Sequence, residues 1–272
     1  MEMASLIFTE IPNLTSPYLI IGLSGWTDAG LVASRSTRYL VKKLGMVKFA
    51  TIEPDEFYNF NIERPTTVIK GGLIEEFNFA SNDLYYSLGR ERGESIDLVV
   101  LTGSEPHLRW AKYSKEIVDL AVKLGVKFCY ALGGLLDRVP HTRPPLISAV
   151  VNDVSLPPLL TRKNLKMIEY EGPASFYTYL LTQLRRQGIF GVSLWGHVPQ
   201  YIAYADANTS LHLLRRLSDL LSTKFDLTEL EREAHRLRET LDKEVAQDPT
   251  LTSLVRSLEL EYDMRSGPSY IG

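Results

Sequence analysis

Residues Tyr18 to Leu44 read YLIIGLSGWTDAGLVASRSTRYLVKKL. The apolar run Tyr18-Leu19-Ile20-Ile21 is too short for a helix and fits a buried strand. Gly22, Gly25 and Gly30 then break the chain, and apolar residues resume at helical spacing from Leu31 and Val32 to Leu40, Val41 and Leu44. The pattern is strand, Gly-rich turn, helix: one βα unit. Gly25 permits a sharp turn, and Thr27 or Asp28 can cap the helix by accepting an orphan backbone N–H. Such turns hold ligands in α/β folds because a helix start offers free N–H groups. This one has neither G-x-G-x-x-G nor Gly-Lys-Ser/Thr, and Asp28 would repel a phosphate, so it reads as a capped structural turn.

Outward from this unit, the 272 residues suffice for one large α/β domain or a domain with an appendage. At 44% hydrophobic and 23% charged, the composition is that of a soluble globular protein. A net charge of -3 gives no electrostatic case for nucleic acid, and no apolar run approaches membrane-spanning length. The opening MEMASLIFTEIPN lacks the basic region and long apolar run of a signal peptide. The single cysteine, Cys129, lies in an apolar run and reads as a small buried side chain, which fits a cytoplasmic setting.

Strands are expected at Val47 to Ile52, Ile96 to Thr102, Val126 to Leu132, Ile147 to Val151, Lys166 to Tyr170 and Ile189 to Trp195. Gly71-Gly72 between Thr66–Lys70 and Leu73–Phe79 signals a hairpin. The segment Glu53 to Pro65 mixes acids with aromatics and reads as a functional surface loop. Ser104 can cap a helix that carries Pro106 in its first turn, shows Trp110, Tyr113, Ile117, Leu120 and Leu124 on one face, and ends at Gly125. Further helices are expected from Gly172-Pro173 to Gly188 and from Asn208 to Ser222. Strand, helix, strand with short links implies right-handed parallel crossovers. In the tail, Leu230, Ala234, Leu237 and Leu241 form a short apolar seam, and Asp248-Pro249 starts a second helix. The expected organisation is an α/β domain over 1–224, a helical hairpin over 225–264 that packs its stripe on the body or on another subunit, and a flexible end over 265–272.

The histidines 107, 141 and 197 follow expected strands, whereas His212 and His235 lie on helix faces and read as solvated. No histidine stands at metal-ligand spacing, and no metal or cofactor is expected. In a parallel sheet the loops after the strands gather at one edge, the usual ligand edge. Trp26, Asp28, Arg64, Glu105, Arg109, His141 and Arg143 would meet there as a polar binding cleft, or else serve to bond the loops to one another. No catalytic residue is assigned. Ser24 and Ser104 lack the G-x-S-x-G setting, and no serine shows nucleophile surroundings.

Several of these stretches occur together and in order: GWTDAG (Gly25 to Gly30), EPDEFYNF with ERP (Glu53 to Pro65), GSEPHLRW (Gly103 to Trp110), LGVKF with LGGLL (Leu124 to Leu136), PHTRP (Pro140 to Pro144), YEGPAS (Tyr170 to Ser175), SLWGHVPQY (Ser193 to Tyr201) and EVAQDPTLTSLVRSLELEYD (Glu244 to Asp263). The set resembles the proteasome assembly chaperone 2 family in its bacterial, actinobacterial-type branch. Gln200 stands where a His is common, and Ala174-Ser175 where Thr-Gly is common. The resemblance implies a three-layer α/β/α fold with a mixed, mostly parallel sheet, similar to phosphorylase-like and hydrolase-like folds. It also implies self-association, with a trimer as the expected state, contact with another protein complex, and a non-enzymatic assembly or scaffold role. The competing expectation is an enzyme whose phosphorylase- or hydrolase-like cleft takes a small nucleoside- or amide-like substrate. An ATP-dependent carboxylate–amine ligase label, carried by some relatives, is disfavoured because the helical tail lacks a magnesium-carboxylate strand pair. Some relatives dock through a C-terminal hydrophobic-Tyr-any motif. This chain ends Ser269-Tyr270-Ile271-Gly272, with Tyr270 not penultimate, so docking by the tail is not expected.

Overall fold

A computed structural model describes residues 5–163 and 165–266. Its strands are β1 (Leu6–Phe8), β2 (Tyr18–Ser24), β3 (Val47–Ile52), β4 (Thr66–Lys70), β5 (Leu73–Asn78), β6 (Asn82–Ser87), β7 (Leu98–Ser104), β8 (Phe128–Asp137), β9 (Ile147–Val151), β10 (Lys166–Met167) and β11 (Phe190–Pro199). Its helices are α1 (Val32–Lys43), α2 (Trp110–Lys123), α3 (Pro157–Arg162), α4 (Phe176–Arg186), α5 (Ala207–Leu221), α6 (Thr228–Gln247) and α7 (Pro249–Ser266). The main sheet runs β1-β3-β6-β7-β2-β8-β11-β9-β10, with β4-β5 as a separate hairpin. At its centre β7, β2, β8 and β11 are parallel, while the flanking β6 runs antiparallel to β7 and β9 antiparallel to β11. Two apolar layers cover the sheet, one built with α2 and α4 and the other with α1, α3, α5 and the start of α6. This is a three-layer α/β/α arrangement with a mixed sheet.

The opening stretch folds as a βα unit, but its glycines act differently from the expectation. Gly22 lies inside β2, where a Cβ would sit 2.6 Å from the Ala33 carbonyl and 2.5 Å from Thr37. It allows α1 to lie close on the sheet rather than breaking the strand. The part of α1 that meets it is correspondingly small, with Ala33, Ser34, Ser36 and Thr37 buried beside Val32 and Leu40, whereas Leu31 is exposed. The Thr37 hydroxyl lies 3.3 Å from the Gly22 carbonyl and 3.0 Å from the Thr102 hydroxyl, crossing from helix to sheet.

Other boundaries move for tertiary reasons. β8 continues through Gly133-Gly134 to Asp137, and β11 continues to Pro199, because the two pair along ten residues. Ser104 ends β7 instead of capping a helix, and α2 starts only at Trp110. β10 is just two residues, and α4 starts at Phe176, capped by the Ser175 hydroxyl through the Thr178 N–H at 3.2 Å. The short strands β1 and β6 lacked a sequence signal. His212 is half-buried rather than solvated, and burial lowers its pKa to about 4. The seam on α6 packs inward: Leu230 and Ala234 share one core with α5, and Leu241 is buried. The chain end after Ser266 lies outside the described residues. Among the described residues no helix is long and apolar enough to cross a membrane.

Candidate functional site

The parallel strands β2, β7, β8 and β11, together with β3, all end at one edge of the sheet, so the loops that follow them share that edge. The seven residues singled out from sequence sit on those loops, in two groups with different partners.

The first group surrounds the ends of β3, β2 and β7. Trp26, at the turn, is 63% exposed. Asp28 is buried, and its Oδ1 accepts the Ala33 N–H at 2.7 Å and the Ser34 N–H at 3.0 Å. It thereby caps α1 across an intervening short turn of 3₁₀ helix, Ala29–Leu31. Burial raises its carboxyl above the ordinary range, opposed by hydrogen bonds at Ser34 and Ala33. Glu105 is also buried; its Oε1 accepts the Phe176 N–H at 3.0 Å and the carboxylate also takes the Trp26 backbone. It therefore ties the β2 turn to the start of α4, and its pKa is raised by burial. Arg109 pairs with Glu56, which Lys112 also holds at 2.8 Å. Arg64 is exposed beside Glu63, and the Glu63 carboxylate accepts the Ser104 hydroxyl at 3.0 Å.

The segment Glu53 to Pro65 is less of a surface loop than its composition suggested. Phe57 and Tyr58 enter the core, because an aromatic ring left in water forgoes much of its transfer energy. The Tyr58 hydroxyl donates to the Ser104 carbonyl at 2.5 Å and accepts from Asn82, whose Oδ1 in turn accepts the Ser104 N–H at 2.9 Å. His107 stacks edge-on against Tyr58, and its Nδ1 accepts the Asn59 N–H at 3.2 Å.

The second group faces the helical hairpin. The His141 backbone donates to the Tyr201 hydroxyl at 2.7 Å, and that hydroxyl meets Nδ1 at 2.6 Å. The Asp242 carboxylate of α6, 3.1 Å from Nε2, can only accept, so Nε2–H donates to it and Nδ1 is left to accept the Tyr201 hydroxyl proton. Burial pushes the Tyr201 phenol up to about 12. Arg143 grips Asp263 of α7 at 2.9 and 2.8 Å and Glu259 at 3.1 Å, and the Asp263 bond raises its pKa. Arg138 holds Glu261 at 2.5 Å, and the Tyr262 hydroxyl donates to the Pro144 carbonyl at 2.8 Å. The PHTRP stretch is thus the seat of the hairpin. Between it and α6 remains a cavity of about 10 Å³, lined by His141, Arg143, His197, Asp206, Leu237 and Leu241, room for about one water.

His197 is the residue whose placement differs most from expectation. It lies within β11, not in a loop, and bridges Asp137 on one side and Ser148 on the other, each at 2.8 Å. Neither partner carried a local signal. Asp137 looked like loop, and Ser148 sits in an apolar strand 49 residues away in sequence. Among the described residues, no three His, Cys, Asp or Glu side chains are grouped to hold a metal ion.

The N-cap yields a direct prediction. Asp28→Ala leaves two buried N–H groups without an acceptor, which costs about 2–3 kcal/mol. The melting temperature should fall by roughly 4–10 °C, while Asp28→Asn, which keeps an accepting oxygen, should recover most of it. Equal melting temperatures for wild type and Asp28→Ala would contradict this role.

Comparison with known proteins matches residues 22–245 to the PAC2 family. No curated protein matches the chain. Among solved structures, a PAC2 family protein from Streptomyces avermitilis is 32% identical, with a TM-score of 0.78, covering 88% of this chain and 99% of that one. A proteasome-assembly chaperone homologue from Mycobacterium tuberculosis is 26% identical with a TM-score of 0.80, over 88% of this chain and 99% of that one. PbaB, an archaeal proteasome activator from Pyrococcus furiosus, shares the fold at 22% identity and a TM-score of 0.70, over 88% of this chain and 97% of that one.

Proposed function

We propose, from the premise that the chain belongs to the PAC2 family, that it is an assembly-chaperone-like or scaffold protein acting as a homo-oligomer. The similarity to a proteasome-assembly chaperone homologue supports a protein complex as its further partner. The cytoplasm is the setting this reading takes. The loop edge bearing Trp26, Asp28, Arg64, Glu105, Arg109, His141 and Arg143 is the ligand-facing edge, with Trp26 and Arg64 as exposed members.

The observation that carries the reading is the β4–β5 hairpin. Every residue of both strands is exposed. Ile69, Leu73, Ile74 and Phe77 are each between 58% and 69% exposed, and Ile62 in the segment leading to β4 is 68% exposed. An isolated two-stranded hairpin is marginal in water, and clustered exposed apolar side chains mark interaction surfaces. Its root is held by aromatic contacts, Phe60 to Phe79 at 4.9 Å and Phe77 to Phe79 at 5.1 Å between ring centres. Burying such side chains against another copy contributes about 1.5–3 kcal/mol each.

The test is mass in solution. Light scattering should give the wild type about three times the 30.8 kDa of one chain. Ile69→Asp with Phe77→Asp should shift it to a single chain without a change in circular dichroism. A wild type that runs as one chain, or a double variant that keeps the oligomeric mass, refutes this reading.

A further inference from the structure

We infer that Ser148, His197 and Asp137 form a nucleophilic triad for acyl transfer at the loop edge of the sheet. The three residues come from three adjacent strands. Asp137 is the last residue of β8, His197 is the third-last of β11, and Ser148 is the second of β9. β9 runs antiparallel to β11, so its start lies at the same edge as the ends of β8 and β11. The register places them on one face. Trp195 pairs with Ser148, His197 pairs with Leu135, and residues two apart along a strand share a face.

The hydrogen bonds then determine the proton positions. Asp137 Oδ2 lies 2.8 Å from His197 Nδ1, and its Oδ1 accepts the Arg138 N–H at 2.7 Å. The His197 bond lowers the Asp137 pKa, so the carboxylate is ionised at neutral pH and can only accept. Nδ1 therefore carries the hydrogen, and Nε2 presents its lone pair. The atom facing that lone pair, at 2.8 Å, is Ser148 Oγ, which must donate. This is the arrangement that activates a serine: the acid orients the imidazole, and the imidazole is placed to take the hydroxyl proton. Ser148 is 1% exposed, whereas the His197 and Asp137 side chains are 13% and 27% exposed. The triad is thus open to solvent on its imidazole and carboxylate side, while Ser148 lies beneath them.

The surroundings select the substrate class. Leu135 and Trp195 flank the triad on the same face. Arg138, next to Asp137, is held by Glu261, and Arg143 by Glu259 and Asp263. A substrate carboxylate or phosphate finds these two guanidinium groups already paired, so the fitting substrate is an uncharged ester of a small acyl group. In the reaction, Ser148 Oγ bonds to the acyl carbon as its proton passes to His197 Nε2. The bond from acyl carbon to alcohol oxygen breaks, and the alcohol leaves with that proton. Water then adds to the acyl-serine by the same route and releases the carboxylic acid. The β4–β5 hairpin takes no part, so this activity and the scaffold role stand or fall separately.

The experiment is covalent labelling of the full chain with an uncharged alkyl fluorophosphonate, read by intact mass and peptide mapping. A single adduct on the peptide containing Ser148 is expected, absent in Ser148→Ala. His197→Gln, which can keep hydrogen bonds to both neighbours, should slow labelling by about 100-fold or more while the melting temperature stays near wild type. Hydrolysis of p-nitrophenyl acetate should follow the same order. No wild-type adduct under conditions that label a known serine hydrolase to completion overturns the inference. So does an adduct on another residue, or undiminished labelling of Ser148→Ala. Should Ser148→Ala not fold, the mapped position of the wild-type adduct decides by itself.

Discussion

Leu241→Asp is expected to lower the melting temperature by about 8–15 °C and to make α6 the first region cut by a protease. Leu241 is 3% exposed and lines the small cavity beneath α6. Losing the buried leucine costs about 1.5–3 kcal/mol, and a carboxylate forced into the same place adds a desolvation cost of similar size or more. The neighbouring cations are already engaged, Arg143 with Glu259 and Asp263 and Arg238 with Asp242. The total of about 4 kcal/mol is a large part of the roughly 5–15 kcal/mol that keeps a domain folded. Leu237→Asp is expected to cost clearly less, since Leu237 is only partly buried against the core. Calorimetry and timed proteolysis measure both. A Leu241→Asp variant that melts and digests like wild type would show that the hairpin is not seated on the sheet edge.

Gly134→Ala has the second large effect, expected at about 3 kcal/mol or more and roughly 6–12 °C. A Cβ at Gly134 would overlap the Ala29 carbonyl and come within 3.1 Å of Val32 Cβ. The Ala29 oxygen belongs to the backbone of the turn and cannot rotate aside. The Gly134 N–H also donates to the Thr27 carbonyl at 2.8 Å, so the methyl group falls at the point where the Gly25-to-Gly30 turn is sewn onto β8. Gly133→Ala is the informative companion. Its new methyl meets the Trp195 ring at 2.6 Å, a side chain with more freedom to move than a backbone oxygen. The thermal shift of Gly134→Ala should therefore exceed that of Gly133→Ala, and the reverse order would argue against the turn-on-strand contact.

The βα unit was legible because its signals are local. A short apolar run, a turn and a helical period all lie within one stretch, and Asp28 caps the helix as its position suggested. The hairpin at Gly71-Gly72 was legible for the same reason. The lengths of β8 and β11 were not, since Gly133-Gly134 reads as a break unless a partner strand pairs along it. The loop-edge residues were legible as a set but not in their pairings. Nothing near Arg143 in sequence announces Asp263, 120 residues on. Ser148 was the least legible, because an apolar strand hides a serine whose partner histidine lies in another strand.

Residue order alone determined the class of the protein: alternating apolar runs and amphipathic periods, with turns between them, specify α/β layers through short-range rules of backbone and burial. It also determined that the loops after parallel strands share an edge, because chain connectivity imposes it. Which side chains meet on that edge was decided only in the tertiary structure. Strand order and register bring Asp137, His197 and Ser148 into line, and the seating of α6 and α7 turns His141 and Arg143 toward the hairpin. The physical reason is range: hydrogen bonds and ion pairs act over a few ångströms in space, and separation along the chain does not encode that distance.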